Sequence, residues 1–142
     1  MIAAFRSSLE VRKVSHTDWM LLQDLAYYSP LLGCSIIVPV GFRTDFASVP
    51  RLPLAWWLVG GSAQSAAVVH DYLYQGHLAL TRRQADAVFY EAMGARGGWP
   101  EPLWRRWLAW AGTRVGGWVA WHRRVERTER LNPRGWSWRA AP

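Results

Sequence analysis

The sequence predicts an α+β protein, a small N-terminal β-sheet followed by a helical core of about three helices. Three observations predict it. Up to about residue 58 the apolar residues come in short β-branched or aromatic runs punctuated by Gly and Pro. From residue 62 they recur at helical spacing instead. At 142 residues the chain has the size of one domain and is long enough to bury a core without staples. The expected organisation is a single domain over 1–142, with 1–58 mainly strands and loops, 62–128 a helical core and 129–142 an irregular basic tail.

Each element follows from local chemistry. SLEVRKV partly alternates, WMLLQDLAYY is short and aromatic, and SIIVPVGF is β-branched and closed by Gly41. These runs predict two or three strands, with turns near Ser29-Pro30 and Gly33. RTDFASVPRLP is rich in turn formers and ends on two prolines, so it is a loop rather than a helix interior. Gly60-Gly61 and Ser62 then punctuate the chain. Ser62 is the expected N-cap of a helix over 63–75 that aligns Ala66, Val69, His70 and Leu73 in one stripe, with Tyr74 one turn beyond His70. Gly76 gives a natural stop. Thr81 and Gln84 form a capping-box pattern opening a second helix, RRQADAVFYEAMGARGG, with Ala85, Val88, Phe89, Ala92 and Met93 as its apolar stripe and Gly97-Gly98 and Pro100 as its end. A third helix begins near Glu101 and carries LWRRWLAWAGTRVGGWVAWHRRVER, with a bend at Gly116-Gly117.

Composition narrows the function classes. The single Cys34 excludes an intrachain disulfide framework. MIAAFRSSLEVRK has few apolar residues before charge arrives, so no secretory signal is expected. WLAWAGTRVGGWVAW is interrupted by Arg114 and falls short of the roughly 20 residues of a transmembrane helix. Residues 1–101 hold eight basic and eight acidic residues, whereas from Pro102 onward nine Arg face two Glu, a balance of +7. Seven Trp interleave with that charge, from Trp104 to Trp138. Such a segment suits an anionic lipid surface, a nucleic acid or an acidic partner protein. The plain alternative is an amphipathic helix with a solvated Arg face and a Trp-filled core.

The residues that carry chemistry lie in AAVVHDYLYQGHLALTRRQADAVF. His70 and Asp71 sit side by side in an otherwise apolar run, and Asp86 answers them from the next helix. The loop between the helices is only about five residues long, so antiparallel neighbours are expected. At ~1.5 Å rise per residue, His70 lies ~9 Å and Asp86 ~6 Å from the turn, at similar height. Asp86 is then placed to accept a hydrogen bond from one imidazole nitrogen, fixing the tautomer and leaving the other nitrogen as a base. Asp71 points about 100° away from His70 and is a candidate cation ligand. A hard ion such as Ca²⁺ takes several oxygens, commonly including backbone carbonyls of an irregular loop. TDFASVPR is such a loop, and Asp45 adds a carboxylate. Zinc suits the sequence less well, because His70 and His77 are separated by a glycine and no further His or Cys lies close. The competing reading is structural, with a satisfied polar pair between helices and Asp45 as a turn cap.

Over roughly residues 18–120, the combination of FRTDFASVPR, AAVVHDYLY and TRRQADAVFYEAM resembles an uncharacterised family of tailed bacteriophages and prophages, domain of unknown function 1353. That resemblance implies phage origin. The protein is then expected in the host cytoplasm during phage production and in the virion, with phage tail or virion subunits as partners. Separately, His70-Asp71 with Tyr74, then Asp86 preceded by Ala85 and followed at three residues by Phe89, resembles the core of phospholipase A2, particularly the disulfide-free form in parvovirus capsids. This second resemblance implies His70 as the general base activating a water for attack on the sn-2 ester and Asp71 as the Ca²⁺ ligand. It also implies Asp86 as the group orienting His70 and Tyr74 as a hydrogen-bond partner of Asp86. The glycine-rich calcium loop of that family has no counterpart, since ASVPRLP stands at the comparable distance. The expected function is a calcium-dependent lipid ester hydrolase at the host envelope, held on anionic lipid by its basic Trp-rich region. The alternative is a non-enzymatic virion component, of the tail or its assembly, whose His-Asp pair is structural. Nucleic-acid binding by the Arg/Trp segment ranks third.

Overall fold

A computed structural model describes residues 2–45, 62–95, 102–104, 106–114 and 121. The strands are β1 (Ala4–Phe5), β2 (Val11–Lys13), β3 (Trp19–Leu21), β4 (Leu25–Ser29), β5 (Cys34–Val38) and β6 (Arg43–Thr44). They form two antiparallel three-stranded sheets, ordered β1-β4-β5 and β2-β3-β6. The fold is α+β as expected, but among the described residues two small sheets stand where one was expected, and six strands where two or three were. The reason lies at Leu22, Gln23 and Asp24, which divide WMLLQDLAYY between the sheets. Side-chain bonds hold that corner, the Gln23 amide donating to the Ser8 carbonyl at 3.0 Å and Asp24 Oδ1 accepting from the Val40 N–H at 2.7 Å.

β4 and β5 form the longest pairing, with Leu25 opposite Val38 and Tyr27 opposite Ile36. Alternate residues point inward, so Leu25, Tyr27, Ile36 and Val38 are buried while Ile37 is exposed, as a period of two requires. The turn between them sits where the sequence placed it. Gly33, at φ 68°, donates its N–H to the Ser29 carbonyl at 2.8 Å, in a left-handed conformation that glycine adopts without a Cβ clash.

Two helices follow, α1 (Ser62–Tyr74) and α2 (Arg82–Ala92). Ser62 is the first helical residue rather than a flanking cap, a difference of one position. Gly76, at φ 90°, donates to the Leu73 carbonyl and ends the first helix as expected. Thr81 forms the full capping box with Gln84. The second helix stops at Ala92, earlier than Gly97-Gly98, because Gly94 and Ala95 turn back onto the Glu91 and Ala92 carbonyls. Residues 103–104, 106–114 and 121 are helical as expected. The expected loop at 46–61, the bend at Gly116-Gly117, Trp118 and the tail at 129–142 lie outside the described residues.

One core joins these parts. The stripes predicted for the helices are all buried, and Ala67 and Val68 are buried with them. α1 packs on β5 and α2 on β4, so the helix pair covers the inner face of the β1-β4-β5 sheet. A half-buried carboxylate stitches this contact. Glu91 of α2 accepts from Tyr27 Oη at 2.8 Å, Ser29 Oγ at 2.6 Å and the Leu31 N–H at 3.0 Å. Burial first, then the bond to Glu91, push the Tyr27 phenol far above its ordinary range, so it remains a donor.

Candidate functional site

α1 places His70 and Tyr74 one turn apart, and α2 places Arg82, Asp86 and Phe89 on successive turns. The contacts run in opposite senses, Tyr74 meeting Arg82 and His70 meeting Asp86 and Phe89, so the two helices are antiparallel neighbours. His70 and Asp86 are each 1 % exposed. His70 Nε2 lies 3.0 Å from Asp86 Oδ1, and the Tyr74 hydroxyl donates to the same oxygen at 2.5 Å. An ionised carboxylate only accepts, so the proton of this His-Asp bond belongs to Nε2, and the neutral imidazole then carries its lone pair on Nδ1. The imidazole packs against Tyr74 at 4.1 Å and Phe89 at 4.8 Å between ring centroids, which fixes its plane.

The second oxygen of Asp86 faces cations. Arg114 Nη1 donates to Oδ2 at 3.0 Å from the third helical segment, and Arg82 Nε lies 3.8 Å away on α2. Arg82 also bonds the Tyr74 hydroxyl at 3.4 Å and the Thr113 carbonyl at 3.3 Å, and donates to the Arg114 carbonyl. Burial alone would push the Asp86 pKa up. The bonds from His70, Tyr74 and Arg114 together outweigh it and hold the carboxyl below its ordinary range. Burial and the bond to Asp86 raise the Tyr74 phenol well above its usual value. The group around Asp86 is therefore a carboxylate fixed as an anion, with a tyrosine fixed as a donor.

Asp71 faces elsewhere, as its position next to His70 requires. It accepts a hydrogen bond from Thr44 Oγ1, which joins α1 to β6. Asp45 follows Thr44 directly and is exposed, so the chain carrying it runs past Asp71. Ca²⁺ takes six to eight oxygens. Among the described residues no group of three or more His, Cys, Asp or Glu could hold a metal ion. Asp71 and Asp45 alone therefore do not make a calcium site, and the loop expected to complete it lies outside the described residues.

The model of a family described as "Protein of unknown function (DUF1353)" matches residues 19–113, most of the chain. The chain belongs to the DUF1353 family. No curated protein and no solved structure gives a match. In this DUF1353 chain the match runs from the first residue of β3 to Thr113 and contains His70, Asp86, Tyr74, Asp71 and Asp45. β1, β2 and Arg114 lie outside it.

Reading the DUF1353 chain as a sequence missed three participants. Arg82 was within reach, because a cation four residues before Asp86 shares its helix face. Thr44 and Arg114 carried no such signal. They stand 27 residues before Asp71 and 28 after Asp86, and only the packed fold brings them in.

Proposed function

We propose that this chain is a phage or prophage protein that hydrolyses a lipid ester at the host envelope. His70 acts as general base, Asp86 holds its tautomer and Tyr74 holds Asp86. The observation that carries this reading is the shared oxygen of Asp86, with His70 Nε2 at 3.0 Å and the Tyr74 hydroxyl at 2.5 Å. In the reaction Nδ1 takes a proton from water, and the water oxygen bonds to the ester carbonyl carbon. The bond to the alcohol oxygen then breaks, and the imidazolium returns the proton to that oxygen. Ca²⁺ belongs to the proposal through Asp71 and Asp45. When bound it would supply positive charge to the carbonyl oxygen.

Fatty-acid release from mixed phospholipid vesicles tests the reading. His70→Gln is expected to lower the rate by roughly 10²-fold or more. Equal rates for wild type and variant, or no release by wild type, would overturn it. Calorimetric titration with Ca²⁺ tests the metal separately, since the heat is expected to vanish in Asp71→Ala.

A second reading is favoured by burial. His70 and Asp86 are each 1 % exposed and Asp86 is also bonded to Arg114, as in a structural polar pair. The chain would then be a non-enzymatic virion component, of the tail or its assembly. Here His70→Ala lowers stability and removes the protein from tail particles, with no hydrolysis to lose.

A further inference from the structure

The β1-β4-β5 sheet ends in β5, and its neighbour shows which way the backbone groups of β5 point. On β4 the Ala26 carbonyl accepts from the Arg6 N–H at 2.8 Å and the Ala26 N–H donates to Ser7 Oγ at 2.9 Å, so Ala26 faces β1. Backbone groups alternate along a strand, so Leu25, Tyr27 and Ser29 face β5, and Val38, Ile36 and Cys34 opposite them face β4. The N–H and C=O of Ser35 and Ile37 therefore point away from β4, and no described residue bonds them. Water reaches this edge, since Cys34 and Ser35 are exposed and Ile37 is 55 % exposed. The exposed indoles of Trp104 and Trp107 belong to another element, the third helical segment, which Arg106 anchors by donating from Nη2 to the Tyr90 carbonyl at 2.9 Å.

Edge strands usually carry a charge or another device that stops further pairing. The other outer strands of the two sheets have cations at hand, Arg6 just after β1, Arg12 and Lys13 in β2, and Arg43 in β6. β5 has none, and residues 25–42 contain no charged side chain. Two copies of a chain with net charge +7 repel, so this uncharged hairpin is where they approach with least repulsion. The strand also fits itself in one register. With a second copy antiparallel about a two-fold axis at Ile36, Ser35 of one copy lies opposite Ile37 of the other, and each such pair exchanges both of its N–H···O=C bonds. A two-residue shift one way sets Ser35 against Pro39, which has no N–H. A shift the other way sets Ile37 against Gly33, whose N–H is engaged by the Ser29 carbonyl. The favoured register also brings the turn bearing Leu31 of one copy to the Val40 end of the other, and these side chains are 54 and 58 % exposed. We propose that β5 pairs with β5 of a second copy, joining two β1-β4-β5 sheets into one six-stranded sheet. This goes beyond the hydrolytic reading, because neither His70 nor Asp86 takes part.

Sedimentation velocity of the full chain tests the proposal. Wild type is expected to sediment as a dimer of the 16.2 kDa chain, with the dimer fraction rising with concentration. Ile37→Lys sets two like charges diagonally across the paired strands and is expected to halve that mass. Its circular dichroism should be unchanged, because position 37 faces water in the monomer. Ile37→Pro removes an outward N–H that the monomer does not use and should give the same loss. Amide exchange locates the contact. The Ser35 and Ile37 amides are expected to slow as concentration is raised, whereas those of Ile36 and Val38, which face β4, stay protected at every concentration. The proposal is overturned if wild type stays at 16.2 kDa up to its solubility limit, or if both variants keep the dimer mass. It is also overturned if dimerisation leaves exchange at Ser35 and Ile37 unchanged, which would place the contact on another surface.

Discussion

Asp86 serves donors of opposite character with its two oxygens, a neutral pair on Oδ1 and a guanidinium on Oδ2. Asp86→Asn replaces an acceptor-only group with one that must also donate, and leaves Arg114 without its anion. Because the Arg114 side chain is 40 % exposed and water reaches it, the expected loss lies at the lower end for a broken buried pair, about 3 kcal/mol in urea unfolding. The pH dependence follows from the same bonds. The folded-state pKa lies below the unfolded one, so the unfolded chain takes up the proton first as pH falls. The stability Asp86 contributes is therefore complete above about pH 4 and is lost as pH drops towards the folded value. Wild type should show this acid-side decline and Asp86→Asn should lack this component of it. At this scale the meeting of His70 and Asp86 was legible because helical spacing fixes who can meet across a short antiparallel pair, whereas the bond of Tyr74 to Asp86 was implied only by the phospholipase A2 resemblance. The Thr44 bond to Asp71 was not, since it depends on where a two-residue strand passes.

Among the elements, α2 was the most legible, and its capping box gives the simplest test. Thr81→Ala removes the hydroxyl that accepts from the Gln84 N–H and should cost about 1 kcal/mol of stability, read as a lowered urea midpoint with unchanged slope. The other end of α2 was not legible. Gly94 lies against Arg106, so that a Cβ there would fall 2.4 Å from Nη1. The guanidinium is the far end of a flexible side chain, so Gly94→Ala is expected to fold but to displace Arg106 from the Tyr90 carbonyl. Amide exchange should then accelerate across 106–114 while α1 stays protected, and Arg106→Ala should reproduce that pattern. Equal exchange in wild type and both variants would mean that Arg106 does not hold the segment. No periodicity in LWRRWL reveals such a contact. The plain reading of its composition as a solvated Arg face over a Trp-filled core, one of the two alternatives, is the reverse of what Arg106, Trp104 and Trp107 do.

For the whole molecule, the order of strands before helices was legible from the change of hydrophobic period, whereas the division into two sheets was not. Short strands such as β1 and β6 have two residues each, too few to show alternation, and their pairing is decided by partners many residues away. β1 and β2 also lie outside the family match, and each is the outer strand of its sheet, on β4 and β3 respectively. A chain beginning at Trp19 would keep every candidate residue, yet leave one backbone edge of β4 and one of β3 unpaired. Unpaired edges are templates for strands of neighbouring molecules, and β4, with its LAYYS sequence, has no charge to repel them. The 19–142 fragment should therefore scatter light at concentrations where the full chain stays clear. In that sense the first eighteen residues act less as part of a site than as a guard against aggregation.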